Sequence, residues 1–213
     1  MDYFLKALKA GEKLNNNLLD ASIYNNIANI YADLGNYQVA LTYYQKYLSS
    51  SISVKSQLNE IRALSNIGDI YIELNNFSKG LSYYNRALTI ANETGNKQIS
   101  AVIYNNLAET FLKQKDYPLA YDNYLKSLKF AEESMNIGAK VNALNGLGKI
   151  YLNLHQYTKA ESYSKLSLHF AKQLNNLSSQ ADGFETLYNI YKKTKQFKNA
   201  LWAYTNEKTL RDS

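Results

Sequence analysis

Asparagines recur in two columns: Asn26, Asn66 and Asn106 at a fixed step in one, and Asn25, Asn105 and Asn145 in the other, which Ser65 interrupts. A carboxamide both donates and accepts hydrogen bonds. A row of them can therefore pair with the backbone of an extended segment whatever side chains it carries. The same row can equally tie one helix to its neighbour, and asparagine is abundant throughout this chain, so both readings stand at this point. Catalytic chemistry has far less to work with. Cysteine is absent and histidine occurs twice. His155 and His169 have no partner at a spacing that would ligate a metal or activate a nucleophile. Gly146-Leu147-Gly148-Lys149 shares glycines and a lysine with phosphate loops, but it lacks the full motif and falls inside a helical pattern. Carboxylates such as Asp69, Glu73 and Glu109 show no arrangement for acid–base work. Neither an enzyme activity nor a cofactor is expected. The 20 tyrosines fall largely at helical spacing on apolar stripes, which is the pattern of a core rather than of a base-stacking platform.

The elements that position these residues repeat every 40 residues. Tyr31 returns as Tyr71, Phe111, Tyr151 and Tyr191, and Tyr37 as Phe77, Tyr117, Tyr157 and Phe197. Ala40 returns as Gly80, Ala120, Ala160 and Ala200. Such a period is the mark of a repeat architecture. In the first unit Tyr24, Ile27, Ala28, Tyr31 and Leu34 follow helical spacing, and so do Tyr37, Ala40, Leu41, Tyr44 and Leu48. Gly35-Asn36 breaks the two helices apart, and Asn75-Asn76, Lys115-Asp116, His155-Gln156 and Lys195-Gln196 stand in its place later. Pro118 falls in a first helical turn, where its missing N–H costs nothing. Ser49-Ser50-Ser51, Thr94-Gly95-Asn96, Met135-Asn136-Ile137-Gly138 and Asn175-Asn176 are expected to link one unit to the next. Small residues at 28, 68, 108 and 148, and again at 40, 80, 120, 160 and 200, let paired helices approach closely.

Composition agrees with helices on short connections: 213 residues hold nine Gly and one Pro. No run approaches the ~18 apolar residues of a membrane span, and Met1-Asp2-Tyr3-Phe4-Leu5-Lys6 is not a signal peptide. The net charge of +6 is spread out. Its densest stretch, Lys192-Lys193 through Lys195 and Lys198, reads as a solvated helix end rather than a nucleic-acid patch.

The order Leu/Ile-Ala/Gly-x-x-Tyr, Asn-Tyr-x-x-Ala and Tyr-x-x-x-Leu resembles the tetratricopeptide repeat, in a long form with 40 residues per unit. The resemblance covers essentially the whole chain and implies an all-α fold: an α-solenoid of helix-turn-helix repeats wound as a right-handed superhelix. One array over residues 1–213 is expected. It holds a half repeat at 1–16, anchored by Phe4, Ala7 and Leu8, and full repeats at about 20–53, 57–94, 97–134, 137–174 and 177–211. Starting in mid-repeat reads as a fragment of a longer protein. Tyr188 departs from the family's small residue, which puts close packing of the last pair in question. The final Lys208-Thr209-Leu210-Arg211-Asp212-Ser213 is similar to the exit of sensor regions in Bacteroidetes histidine kinases and regulators.

The resemblance further implies that the first helix of each pair lines a concave groove. Its candidate residues are Asn25, Asn26, Asn29 and Asp33; Asn66, Asp69 and Glu73; Asn105, Asn106, Glu109 and Lys113; and Asn145 and Lys149. Acidic groups dominate early and basic ones late, with Lys192 and Lys193 extending the basic side, so a ligand of opposite polarity would be steered into one direction. The expected function is non-catalytic binding of an extended protein or peptide segment, as the sensory or scaffolding region of a larger bacterial signalling protein. The alternative is a structural or dimerisation element relaying conformation to an attached kinase or DNA-binding domain. Self-association as a homodimer is left open, as is a periplasmic or cytoplasmic location. Neither nucleic acid nor membrane contact by this stretch is expected.

Overall fold

The computed structural model describes residues 17–212; the half repeat at 1–16 lies outside them. Ten helices, with no strand among the described residues, run in pairs. They are α1 (Asn17–Asp33) and α2 (Tyr37–Ser53), α3 (Gln57–Glu73) and α4 (Phe77–Glu93), and α5 (Lys97–Lys113) and α6 (Tyr117–Glu133). Then come α7 (Ile137–Asn153) with α8 (Tyr157–Gln173), and α9 (Leu177–Lys193) with α10 (Phe197–Arg211). The chain forms two compact units, one ending at Gly95 and one starting at Asn96. The first contains α1–α4 and the second α5–α10. Within each, every helix packs on its hairpin partner, and α2 on α3, α6 on α7 and α8 on α9.

Helix ends are set by the backbone more than by turn composition. Residues with positive φ fall every 20 positions, at Gly35, Lys55, Asn75, Gly95, Lys115, Met135, His155, Asn175 and Lys195. Each such left-handed residue reverses the chain. At the first of these turns the Gly35 N–H donates to Ala32 O at 2.9 Å, and the Asn36 N–H reaches Tyr31 O at 2.8 Å, which satisfies two end carbonyls. The residue after the left-handed one then stands at the N-cap of the next helix. Asn76, Asn96, Asp116, Asn136 and Asn176 accept a backbone N–H there, whereas the Asn36 side chain does not.

The expected links need two corrections. Ser49-Ser50-Ser51 is not a link but lies within the C-terminal end of α2, and the turn is Val54-Lys55-Ser56. Serine reads as a turn former, yet Ser51 is fully buried, its hydroxyl returning to Tyr47 O at 2.7 Å. It occupies the column that Ala91, Ala131 and Ala171 fill in later pairs, where only a small side chain fits. Ile137 and Gly138 likewise belong to the first turn of α7. Leu34, counted with the buried stripe of α1, lies just past its end and is 71% exposed.

The small residues do what the spacing predicts. A Cβ on Gly80 would lie 2.3 Å from Ile72 Cδ1, and one on Gly68 2.8 Å from Tyr84 Cε1. Ala40, Ala120 and Ala160 are fully buried. At the last pair Tyr188 packs its ring toward Tyr204, 5.6 Å between centroids, and leaves Ala200 and Ala203 buried.

Candidate functional site

The residues singled out on the first helices separate into two sets with different roles. One set stitches neighbouring helices. In the first unit Asn66 Nδ2 on α3 donates to Asn25 Oδ1 on α1 at 3.0 Å. In the second, the Thr186 hydroxyl on α9 is shared between Asn145 Oδ1 on α7 at 3.2 Å and Asp182 O of its own helix at 3.0 Å. Both bonds join positions 41 apart. Asn145 and Asn105 are buried, and Asn105 Nδ2 donates to Ala139 O at 2.9 Å.

Between α5 and α7 the ladder loses a rung. The residue 41 positions after Asn105 is Gly146, and Asn105 Oδ1 is a buried acceptor without a partner. The glycine is required there. A Cβ on Gly146 would lie 2.0 Å from Cζ of Tyr124, whose ring fills the space. One pair later Ser164 and Thr186 replace Tyr124 and Gly146, so the hydroxyl of Thr186 has room to complete the rung.

The second set faces outward. Asn26, Asn29, Asp33, Asp69, Glu73, Glu109 and Lys113 are exposed, and Asn106 and Lys149 are half-buried. Three of the second set are held from below by tyrosines of the second helices. The Tyr44 hydroxyl donates to Asn29 Oδ1 at 2.6 Å, that of Tyr84 to Asp69, and that of Tyr124 to Glu109 at 3.4 Å. Each tyrosine sits 15 residues after its acceptor. Their rings are buried, so each phenol carries a polar contact from the core to the surface. Burial, with the carboxylates of Asp69 and Asp33 nearby, pushes the Tyr44 phenol up to about 12. Burial raises Tyr124 further, and Glu109 adds to it. Lys149 stands in the column of Asn29, Asp69 and Glu109, opposite a serine (Ser164) rather than a tyrosine. The tyrosine props were not read from the sequence, although the constant 15-residue offset was there to be seen.

Nothing in this arrangement resembles a reaction centre. Among the described residues no three metal-ligating side chains converge. His155 takes the left-handed conformation of a turn, with Nδ1 3.1 Å from the Tyr157 hydroxyl, and His169 lies 3.2 Å from Gln173 Nε2. Gly146-Leu147-Gly148-Lys149 is helical, within α7. Among the described residues no helix is long and apolar enough to cross a membrane.

The family model of the tetratricopeptide repeat matches residues 19–93, 59–133 and 99–173. The chain belongs to the tetratricopeptide repeat family. No curated protein matches it. Among solved structures, BtubC from P. vanneervenii is 18% identical, with a TM-score of 0.81 over 99% of this chain and 89% of its own. A Rap protein complexed with competence and sporulation factor is 17% identical (TM-score 0.80, 92% of this chain and 55% of that one). A STAND signal-transduction ATPase with a tetratricopeptide repeat sensor, from Pyrococcus horikoshii, is 23% identical (TM-score 0.77). It is covered over 33% of its length by 98% of this chain. This repeat chain thus spans about half of the Rap protein and a third of the ATPase. These likenesses show a shared fold.

Proposed function

We propose that this chain is a non-catalytic binding module whose first helices present their exposed polar face to an extended protein or peptide segment. The observation that carries the reading is that buried phenols hold polar groups of the first helices from below, Asn29 and Asp69 in the first unit and Glu109 in the second. Polar groups held in place before a ligand arrives lose little side-chain freedom on binding, so more of each contact appears as affinity. Asn26 belongs to this face in the first unit, and Asn106 and Lys149 to that of the second, whereas Asn25, Asn105 and Asn145 act as fastening inside their own units. We further assign the module the role of a sensory or scaffolding region in a larger signalling protein. Support for that assignment is the Rap protein seen with its factor and the tetratricopeptide sensor of the signalling ATPase.

The test uses random 12-residue peptides displayed on phage and panned against the chain. Selected peptides are expected to perturb the amide resonances of Asn29, Asp69, Glu109 and Lys149. The triple variant Asn29→Ala, Asp69→Ala, Glu109→Ala should weaken them at least tenfold while the helical circular dichroism is retained. Peptides that map to the outer helices, or bind the triple variant equally well, refute the assignment.

A further inference from the structure

Two lysines of the second unit are half-buried, Lys140 and Lys149. Lys140 has a counter-charge: its ammonium meets Glu132 at 3.0 Å and lies over the ring of Phe170 at 4.6 Å. Lys149 on α7 has none. Glu109 holds the same column 40 positions earlier, on α5, and α5 packs against α7. Yet among the described residues neither Glu109 nor Lys149 forms an ion pair, with the other or with any third group. Glu109 takes only the Tyr124 hydroxyl, at 3.4 Å. On the next first helix, α9, the carboxylates of Asp182 and Glu185 are held by Arg211 at 3.3 and 3.0 Å, and Lys192 lies over Tyr188 at 5.6 Å. One acidic and one basic group, side by side and uncompensated, therefore stand on the inner-helix face of the second unit. A partly desolvated ammonium without a counter-ion is the state that an arriving carboxylate improves.

We propose that Glu109 and Lys149 select the bound segment: it carries a basic residue over Glu109 and an acidic one over Lys149, three residues apart in a polyproline II backbone. The inference rests on the reading above, that this face binds an extended segment, and adds the segment's chemistry. Spacing decides the backbone form. Packed helices lie about 8–10 Å apart. A polyproline II chain rises ~3.1 Å per residue with three residues per turn, so positions i and i+3 project from one side about 9 Å apart. A β-strand returns to the same side only at about 7 and 13 Å, and neither matches. Polyproline II also makes no internal hydrogen bonds, so its backbone is open to the carboxamide of Asn106, half-buried one turn before Glu109. Lys-x-x-Glu and Glu-x-x-Lys both meet the pair, the one running in the opposite direction to the other.

Fluorescence anisotropy with short proline-rich peptides tests this. On the wild-type chain Lys-x-x-Glu or Glu-x-x-Lys should bind about fivefold tighter than Lys-x-x-Lys and Glu-x-x-Glu, as one exposed charge pair turned from attraction to repulsion implies. Lys-x-Glu and Lys-x-x-x-Glu should also bind more weakly, a comparison that needs no variant. Glu109→Lys should turn the preference to Glu-x-x-Glu, and Lys149→Glu to Lys-x-x-Lys, with the helical circular dichroism retained. Lys129→Glu, at an exposed position of α6, makes the same change in net charge as Lys149→Glu and should leave the wild-type ranking intact. Peptides that shift the amide resonances of Glu109 and Lys149 but bind equally whatever their charges or spacing overturn this inference and leave the binding module standing. A ranking that Glu109→Lys and Lys149→Glu do not alter, or that Lys129→Glu alters equally, overturns it too. A chain that holds phage-selected peptides but none of this set lacks the charge selection, and one that holds neither loses both readings.

Discussion

Gly146→Ala sets two effects of opposite sign against each other. In a helix interior alanine is preferred to glycine by about 1 kcal/mol, and Gly146 lies in the middle of α7. Against that, the new Cβ would sit 2.0 Å from Tyr124 Cζ and 2.4 and 2.5 Å from its two Cε atoms. Carbon atoms rest about 3.5 Å apart or more, so ring and helix must separate by roughly 1.5 Å. The ring has little freedom to yield. It is 1% exposed, packed with Ala108, Ala120, Ala143, Leu147 and Ile150, and its hydroxyl is turned to Glu109. Overpacking of this kind costs about 1–3 kcal/mol, and contact with the middle of a confined ring belongs at the upper end. The expected net loss is about 1–2 kcal/mol, or a melting temperature lower by about 2–8 °C for a chain of this size. Differential scanning calorimetry reads it, with hydrogen exchange to locate the loss at α5–α7, since repeat units open semi-independently. A second arm uses the protein's own alternative. Gly146→Thr combined with Tyr124→Ser copies the Ser164–Thr186 junction and gives Asn105 Oδ1 a hydroxyl partner. The pair should be more stable than the sum of its single variants by about 0.5–3 kcal/mol. A Gly146→Ala chain that melts at or above the wild type would refute the account of why glycine stands there.

Two further outcomes follow from the packing and the phenols. Ala120→Leu, at a fully buried position between α5 and α6, should destabilise by about 1–3 kcal/mol through overpacking; an unchanged melting temperature would show the helix interface to be slack. The Tyr44 phenol ionises near 12 when folded, against about 10 when unfolded. The neutral form is thus favoured in the fold, and its contribution is complete below pH 10 and lost as pH rises toward 12. Phenolate absorbance of the wild type minus Tyr44→Phe should show this midpoint, and one near 10 would contradict the buried site.

The period, the helix pairing and the small-residue columns were legible because they are set by local spacing and volume. The turns were legible only in part. Gly35 and Gly95 announce a left-handed residue, whereas Lys55 and Met135 adopt the same conformation without any preference for it. Stacking of the hairpins imposes it there, at a cost those residues carry in the folded state. Ser51 misled for the related reason that its smallness, not its turn chemistry, determines its place.

The asparagine columns show a subtler limit. Their recurrence was visible, and so were the two uses it allowed, but the use made at each position depends on what stands 41 residues later rather than 40. Asn25 and Asn145 each meet a polar side chain there, Asn66 and Thr186, and are spent on fastening. Asn105 meets a glycine whose side chain had to be given up to the ring of Tyr124. That same ring delivers the hydroxyl that props Glu109 on the outer face. In the middle of the second unit, then, an internal hydrogen bond is forgone where a tyrosine is kept to position a surface carboxylate. One junction later Ser164 replaces that tyrosine, the rung is restored through Thr186, and the surface position carries Lys149 with no tyrosine beneath it. Fastening and presentation compete for the same volume at the α5–α7 junction, where the ring of Tyr124 stands against Gly146, whereas at α1–α3 the smaller demands of both are met, the Asn66–Asn25 rung and the Tyr44 prop under Asn29 standing side by side.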